Sequence, residues 1–489
     1  MTFGSRPAWR IWHRIFLGMS RGTMNNTSAP MKPVASPKVL PSRSPLLLCL
    51  FLLGASILRA DLVDLQNPFN LLNQAPLAGD LFGYRSKAET NGVKLSAQSV
   101  SDMLGNVSGG IGSGGVYAGV LNLGLSADLE KVAGWEGASF KSTWLWLYGN
   151  DLSSRYIGNA MTASGIYGEP TFRCYELWLQ QNALGDALSL RAGLLGLDTE
   201  FGASDLAAFF VNSTFGIPAG ITMNLPNGGP TYPMATPGVR LAVQPASWLT
   251  LRSAIAQGNP FTQDQNRTGF NWNFGPSAGL LSLNEADVSW CGGESAKGLP
   301  GTAKAGFWIQ TGSGVPAQVE FGSPTVASYS SGFYGMIDQQ IYRAPVAKSS
   351  ASPSLEKNPV PAGKETVSEG TATKGLSAFA RAVFSPQSWS PCSFYSDGGL
   401  VYTGLIPGRD QDKLGAAFAY AGMGSLCCSQ TAESGCPGAG YECVAELTYS
   451  IRLTPSISLQ PDLQYILHPG GSRQYGNALV VGFQAVVDF

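Results

Sequence analysis

Hydrophobic and polar residues alternate along much of this chain, most cleanly at its end. In the final segment, Leu479, Val481, Phe483, Ala485, Val487 and Phe489 fall on one side, and Val480, Gly482, Gln484, Val486 and Asp488 on the other. Side chains of a β-strand point alternately to opposite faces, so this segment predicts a strand with one continuous apolar face. The same period runs through 442–452. There Cys443, Ala445, Leu447, Tyr449 and Ile451 oppose Glu442, Glu446, Thr448, Ser450 and Arg452. Beyond a tight turn at 454–456, Ile457, Leu459, Leu463, Tyr465 and Leu467 oppose Ser458, Gln460, Asp462, Gln464 and His468. Val239, Leu241 and Val243 oppose Arg240 and Gln244; Leu249, Leu251 and Ile255 oppose Thr250 and Arg252.

Sixteen segments read as strands: 93–106, 115–128, 138–149, 172–182, 187–197, 237–245, 248–257, 278–290, 301–312, 331–344, 375–385, 393–405, 413–423, 441–454, 457–467 and 478–489. A tilted strand of roughly 9–11 residues crosses the hydrocarbon layer. An even number suits a single-chain bacterial barrel with both ends in the periplasm, and sixteen strands leave room for a channel. The predicted fold is therefore all-β, a transmembrane antiparallel barrel, with Trp144, Trp146, Tyr148, Trp248, Tyr449 and Tyr465 suited to its aromatic girdles.

Two stretches break the period. Segment 198–236 holds Asp198, Glu200, Asp205, the run Phe209-Phe210-Val211-Asn212-Ser213-Thr214-Phe215-Gly216 and a Gly/Pro-rich tail. Long loops in compact domains are functional or disordered. The aromatics of this one predict that it folds into the lumen as a constriction. Segment 345–374 is rich in Pro, Ser and Lys without a hydrophobic pattern, and predicts a disordered insertion. By strand parity it falls on the side of short turns, so either the strand count is off or this is an unusual periplasmic insertion.

The N-terminus adds a compartment. Residues 45–58, PLLLCLFLLGASIL, form a short apolar run after Lys32, Lys38 and Arg43, and Arg59-Ala60 precede Asp61. That order predicts a secretory signal peptide within 1–60, with an upstream extension before Met31. A periplasmic segment at 61–92 and the barrel at 93–489 would follow. After Ala60 no apolar run approaches the length of a membrane helix.

Composition agrees. Charged residues are only 13% of the chain, glycine is abundant and mean hydropathy is +0.04, as alternating lipid-facing and water-facing residues produce. The first 60 residues hold eight Lys and Arg and no acid, leaving 23 basic against 32 acidic residues. An acidic exported product is a poor partner for nucleic acid. After the signal only His468 remains, so a Ser–His pair or a histidine metal site would rest on it alone. A loop histidine without a catalytic role is the expectation, and no cofactor is implied. Seven cysteines follow residue 60, and Cys427 or Cys428 with Cys436 could form a loop disulfide.

The chain resembles the carbohydrate-selective porin family of OprB type. The resemblance is carried colinearly by YELWLQQ (175–181), LSLRAGLLGLDTEF (188–201), NSTFGIP (212–218), LPNGGPTYPMATPGVRL (225–241), GLVYTGLIPGRDQDKLG (399–415) and ELTYSIRLTPSISLQPDLQYILHPGG (446–471). The family's N-terminal signature appears as GDLFGYR (79–85), lacking its Trp and second Gly. Membership implies a sixteen-stranded outer-membrane barrel passing small sugars down their gradient.

Sugars are neutral polyols, so a selective pore must replace part of their hydration shell yet release them. Alternation aims Glu176, Gln180, Arg191, Arg240, Arg252, Arg381, Glu442, Glu446, Asp462 and Gln464 at the lumen, with Trp178 on the face of Glu176 and Gln180. Asp198, Glu200 and Asp205 come from the constriction loop. Each could equally be a structural ion pair stiffening the wall. A general diffusion porin is the alternative, then an outer-membrane lipase or a soluble secreted binding protein. Expected partners are small sugars, outer-membrane lipid and lipopolysaccharide, the barrel-assembly machinery through Phe489, and a second copy in a homo-oligomer.

Overall fold

The computed structural model describes residues 76–80, 83–276, 278–291, 298–312, 319–320, 323–324, 329–344, 374–386, 390–423 and 440–489. The expected signal peptide, the stretch 345–373 and the Cys427, Cys428 and Cys436 region lie outside these residues. All sixteen expected strands are present. They are β1 (Val93–Gly110), β2 (Gly114–Asp128), β3 (Ala138–Gly149), β4 (Thr171–Ala183), β5 (Leu188–Leu195), β6 (Thr236–Ala246), β7 (Leu249–Gln257) and β8 (Leu280–Trp290). There follow β9 (Gly301–Thr311), β10 (Tyr329–Arg343), β11 (Gly375–Phe384), β12 (Cys392–Thr403), β13 (Lys413–Met423), β14 (Tyr441–Thr454), β15 (Ile457–Leu467) and β16 (Gly476–Asp488). Each pairs antiparallel with its chain neighbours, and β1 pairs with β16 to close the barrel.

The two-residue period sets the two surfaces. On β14, Leu447 is 49% exposed while its neighbour Glu446 is 3% exposed. Leu463, Tyr465, Val481, Leu241 and Ile255 likewise face outward, and Gln464 and Arg240 inward. Backbone groups are satisfied by neighbouring strands, which is what a chain crossing hydrocarbon requires. No helix among the described residues is long and apolar enough to cross.

Connection lengths orient the barrel. The β6–β7 and β14–β15 turns are two residues long and share an end with both barrel termini, the arrangement of a periplasmic rim. The β10–β11 connection leaves from that same rim, where Ala344 N–H bonds Lys374 O at 2.9 Å. The strand count was thus right, and the two described ends of this connection, Ala344 and Lys374, meet at the rim of the short turns.

At this rim, residues 76–80 and 83–92 cap the seam. Helix α1 (Tyr84–Thr90) carries Arg85, whose Nη2 donates to the Phe489 main-chain oxygen (2.8 Å) and whose Nη1 donates to Gly79 O (3.1 Å). Asp80 accepts from Ser86 N–H at 2.7 Å. Arg85 of the altered GDLFGYR motif therefore binds the end of the closing strand.

Candidate functional site: the lumen and its inward loop

Residues 196–235 join β5 to β6 and form short helical turns in place of strand. Apolar side chains drive the segment inward. Phe201, Phe210, Val211, Phe215, Ile221 and Leu225 pack on the inner faces of Leu281, Trp308, Tyr334, Phe379, Val383 and Tyr395. Phe210 and Phe215 lie 5.8 and 6.3 Å from the Phe379 ring. Next along the same wall, β13 presents Ala417, Ala419 and Ala421, whose small side chains leave room for the loop. Part of the lumen wall is thus apolar, filled as a soluble protein core is filled.

Inward carboxylates and amides bind the loop's backbone. Glu446 accepts the N–H groups of Val211 (2.6 Å) and Asn212 (3.0 Å). Asn212 donates to Gln464 Oε1 at 3.0 Å, and Gln464 donates to Asp462 Oδ2 at 2.8 Å and Ala163 O at 2.9 Å. Four residues away on β14, Glu442 accepts from Ala160, Met161 and Gly470, which belong to two other connections. Arg381 pairs with Asp397 and donates to Thr214 O (3.0 Å). These residues hold loops.

A second group lies at the loop's root. Glu200 bridges Arg191 (2.8 Å) and Arg240 (2.6 Å), and both guanidinium groups also donate to Gln180 Oε1. Arg191 stacks on Trp178 at 3.8 Å, covering an indole that is itself only 4% exposed. Glu176 pairs with Lys141 at 3.2 Å. Asp198 accepts from Tyr175 Oη (2.7 Å) and Tyr232 N–H (2.9 Å). Burial pushes its carboxyl up to about 6, against the effect of those bonds.

The third group reaches solvent. Arg252 pairs with Asp287 and Glu285 and keeps about a quarter of its side chain exposed; Asp205 is exposed. Alternation on β9, β10 and β13 adds Lys304, Asp338 and Lys413, none of them singled out from the sequence. Lys304 Nζ donates to Ala203 O (2.7 Å) and Asp338 accepts from Ser204 Oγ (2.7 Å). The same two-residue count that found Arg252 would have found all three.

His468 sits at the outer end of β15 with its ring edge-on to Tyr441, 4.7 Å away. Cys174, Cys291 and Cys443 are free thiols among the described residues.

A closed antiparallel barrel with a lipid-facing exterior, a charged interior and a loop crossing its lumen defines an outer-membrane porin. The chain belongs to the OprB family of carbohydrate-selective porins, whose family model matches residues 113–489. It is 26% identical over 475 residues to Porin B of Pseudomonas aeruginosa, across 89% of this chain and 96% of that protein. It is 23% identical over 469 residues to the putative porin QuiX of Acinetobacter baylyi, covering 90% of this chain and 98% of QuiX. The fold matches the high-pH structure of Pseudomonas putida OprB with a TM-score of 0.71 at 22% identity, over 85% of this chain and 99% of that one. The porin conducts small carbohydrates passively across the outer membrane of a Gram-negative bacterium.

Proposed function

We propose that the sugar path runs between the inward loop and the solvent-reaching charges Arg252, Lys304, Asp338, Asp205 and Lys413, with the buried Asp287 paired to Arg252, and that monosaccharides such as glucose are its cargo. The observation that carries this reading is the mixture of signs on those groups. Paired guanidinium and carboxylate groups offer adjacent donors and acceptors to vicinal hydroxyls, while neither sign is strong enough to select an ion. Because Arg252 is already held by Asp287 and Glu285, it can bond a hydroxyl without reorganising, and release remains fast. Arg191, Arg240 and Glu200 would fix the narrow side of the path by holding the loop's root.

Liposome swelling tests this. Arg252→Ala should slow glucose entry relative to a small uncharged solute lacking vicinal hydroxyls. Equal slowing of both would favour a general diffusion porin. The reading is of a channel without catalysis: His468 packs against an aromatic ring at the barrel's outer end, away from the charged lumen. Phe489 would serve as the recognition signal for barrel assembly, the outer rim would meet lipopolysaccharide, and the apolar belt leaves room for a homo-oligomer.

A further inference from the structure

The inward loop leaves a notch in the wall. β4 begins at Thr171, but its pairing with β5 starts only at Leu177, because β5 ends at Leu195 and the chain then turns into the lumen. The exposed edge of β4 above that point is taken by the β7–β8 connection. Thr268 O accepts from Cys174 N–H at 3.0 Å, and Arg267 O accepts from Thr171 Oγ1 at 3.0 Å. Gly269 adopts φ +86°, and a Cβ there would overlap the Cys174 carbonyl oxygen. The connection thus runs against β4 as a substitute strand.

It brings aromatic side chains to the outside. Phe270 lies 6.1 Å from Trp144 and 5.9 Å from Trp272, and Trp144 stacks on Phe172 at 5.4 Å. Trp144 and Phe172 are outward residues of β3 and β4, so the loop's rings continue the lipid-facing surface of the barrel. Phe270, Trp272 and Phe274 are 43, 44 and 75% exposed. Yet the indole N–H of Trp272 is satisfied internally by Gly269 O (3.0 Å), and that of Trp144 by Ser142 Oγ (2.9 Å). Asparagine side chains serve the loop's backbone: Asn266 accepts from Asn271 N–H and Asn271 donates to Gln265 O. Irregular backbone is tolerated at membrane depth only when protein satisfies it in this way.

We propose that residues 267–274 form a lipid-contacting wall segment, with Phe270, Trp272 and Phe274 seated in the outer leaflet and sealing the notch that the inward loop opens. The occupant of this patch is lipid, because the patch is continuous with the transmembrane surface.

The test uses the full-length protein labelled with 5-fluorotryptophan in phosphatidylcholine nanodiscs, where the ¹⁹F resonance missing from W272F is Trp272. A doxyl-labelled phosphatidylcholine should broaden that resonance severalfold, and a water-soluble gadolinium chelate should leave it sharp. Broadening by the chelate would place the loop in water and overturn the proposal. Protection from both agents would mean burial against another copy of the chain, which overturns it equally.

Discussion

Glu446 shows how one side chain determines where a loop sits. Its carboxylate accepts two loop N–H groups deep in the barrel. A buried donor left unsatisfied costs about 1–3 kcal/mol. Glu446→Ala should therefore release the 209–212 turn, raise single-channel conductance severalfold and weaken discrimination among sugars. An unchanged conductance would remove its anchoring role. Arg381 and Asp397 make a sharper case, since both are fully buried. Taking one partner from a buried pair costs roughly 3–5 kcal/mol, whereas replacing both with apolar groups can be nearly neutral. Arg381→Met should lower the thermal midpoint markedly, and Arg381→Met with Asp397→Leu should recover most of the loss, as heat-modified gel mobility would reveal.

At the scale of elements, the strands were legible because the period of two is written directly into residue chemistry. The β5–β6 connection was legible by contrast, as an aromatic stretch without that period. What alternation could not separate was an inward group meeting water from one meeting a loop. Glu446, Gln464 and Arg252 have the same pattern, but only Arg252 keeps contact with solvent. That distinction depends on where residues far apart in sequence dock. Inward apolar residues such as Trp308 and Ala419 were illegible for the same reason, since they face a loop core that sequence periodicity does not encode. The anchoring of the loop at several walls gives its own prediction. Asn212 caps the turn at Thr214 N–H and bonds Gln464 across the lumen. Asn212→Ala should cost about 1 kcal/mol or somewhat more, given the usual cost of a lost cap, and should increase open-channel noise. A quiet channel of wild-type conductance would show that the other anchors suffice.

For the barrel as a whole, closure depends on β1 meeting β16, and the N-terminal segment reinforces that seam. Arg85 holds the last residue's main-chain oxygen, and Phe489 N–H bonds Ala97 O at 2.9 Å. The sequence motif around Arg85 was visible, but its partner at the opposite end of the chain was not. Arg85→Ala should lower the temperature at which the barrel loses its heat-modifiable gel mobility while leaving sugar flux per channel unchanged. Loss of flux with normal heat resistance would instead assign Arg85 to the path.

On the reading proposed above, neutral sugar occupies a charged, loop-narrowed lumen on its way through. Single-channel recording in a planar bilayer with increasing glucose tests it most directly. Sugar inside the lumen should reduce the ion current in a saturable way, beyond the reduction produced by a large excluded polymer adjusted to give the same bulk solution conductivity. A current that falls only with bulk conductivity, without saturation, would contradict it.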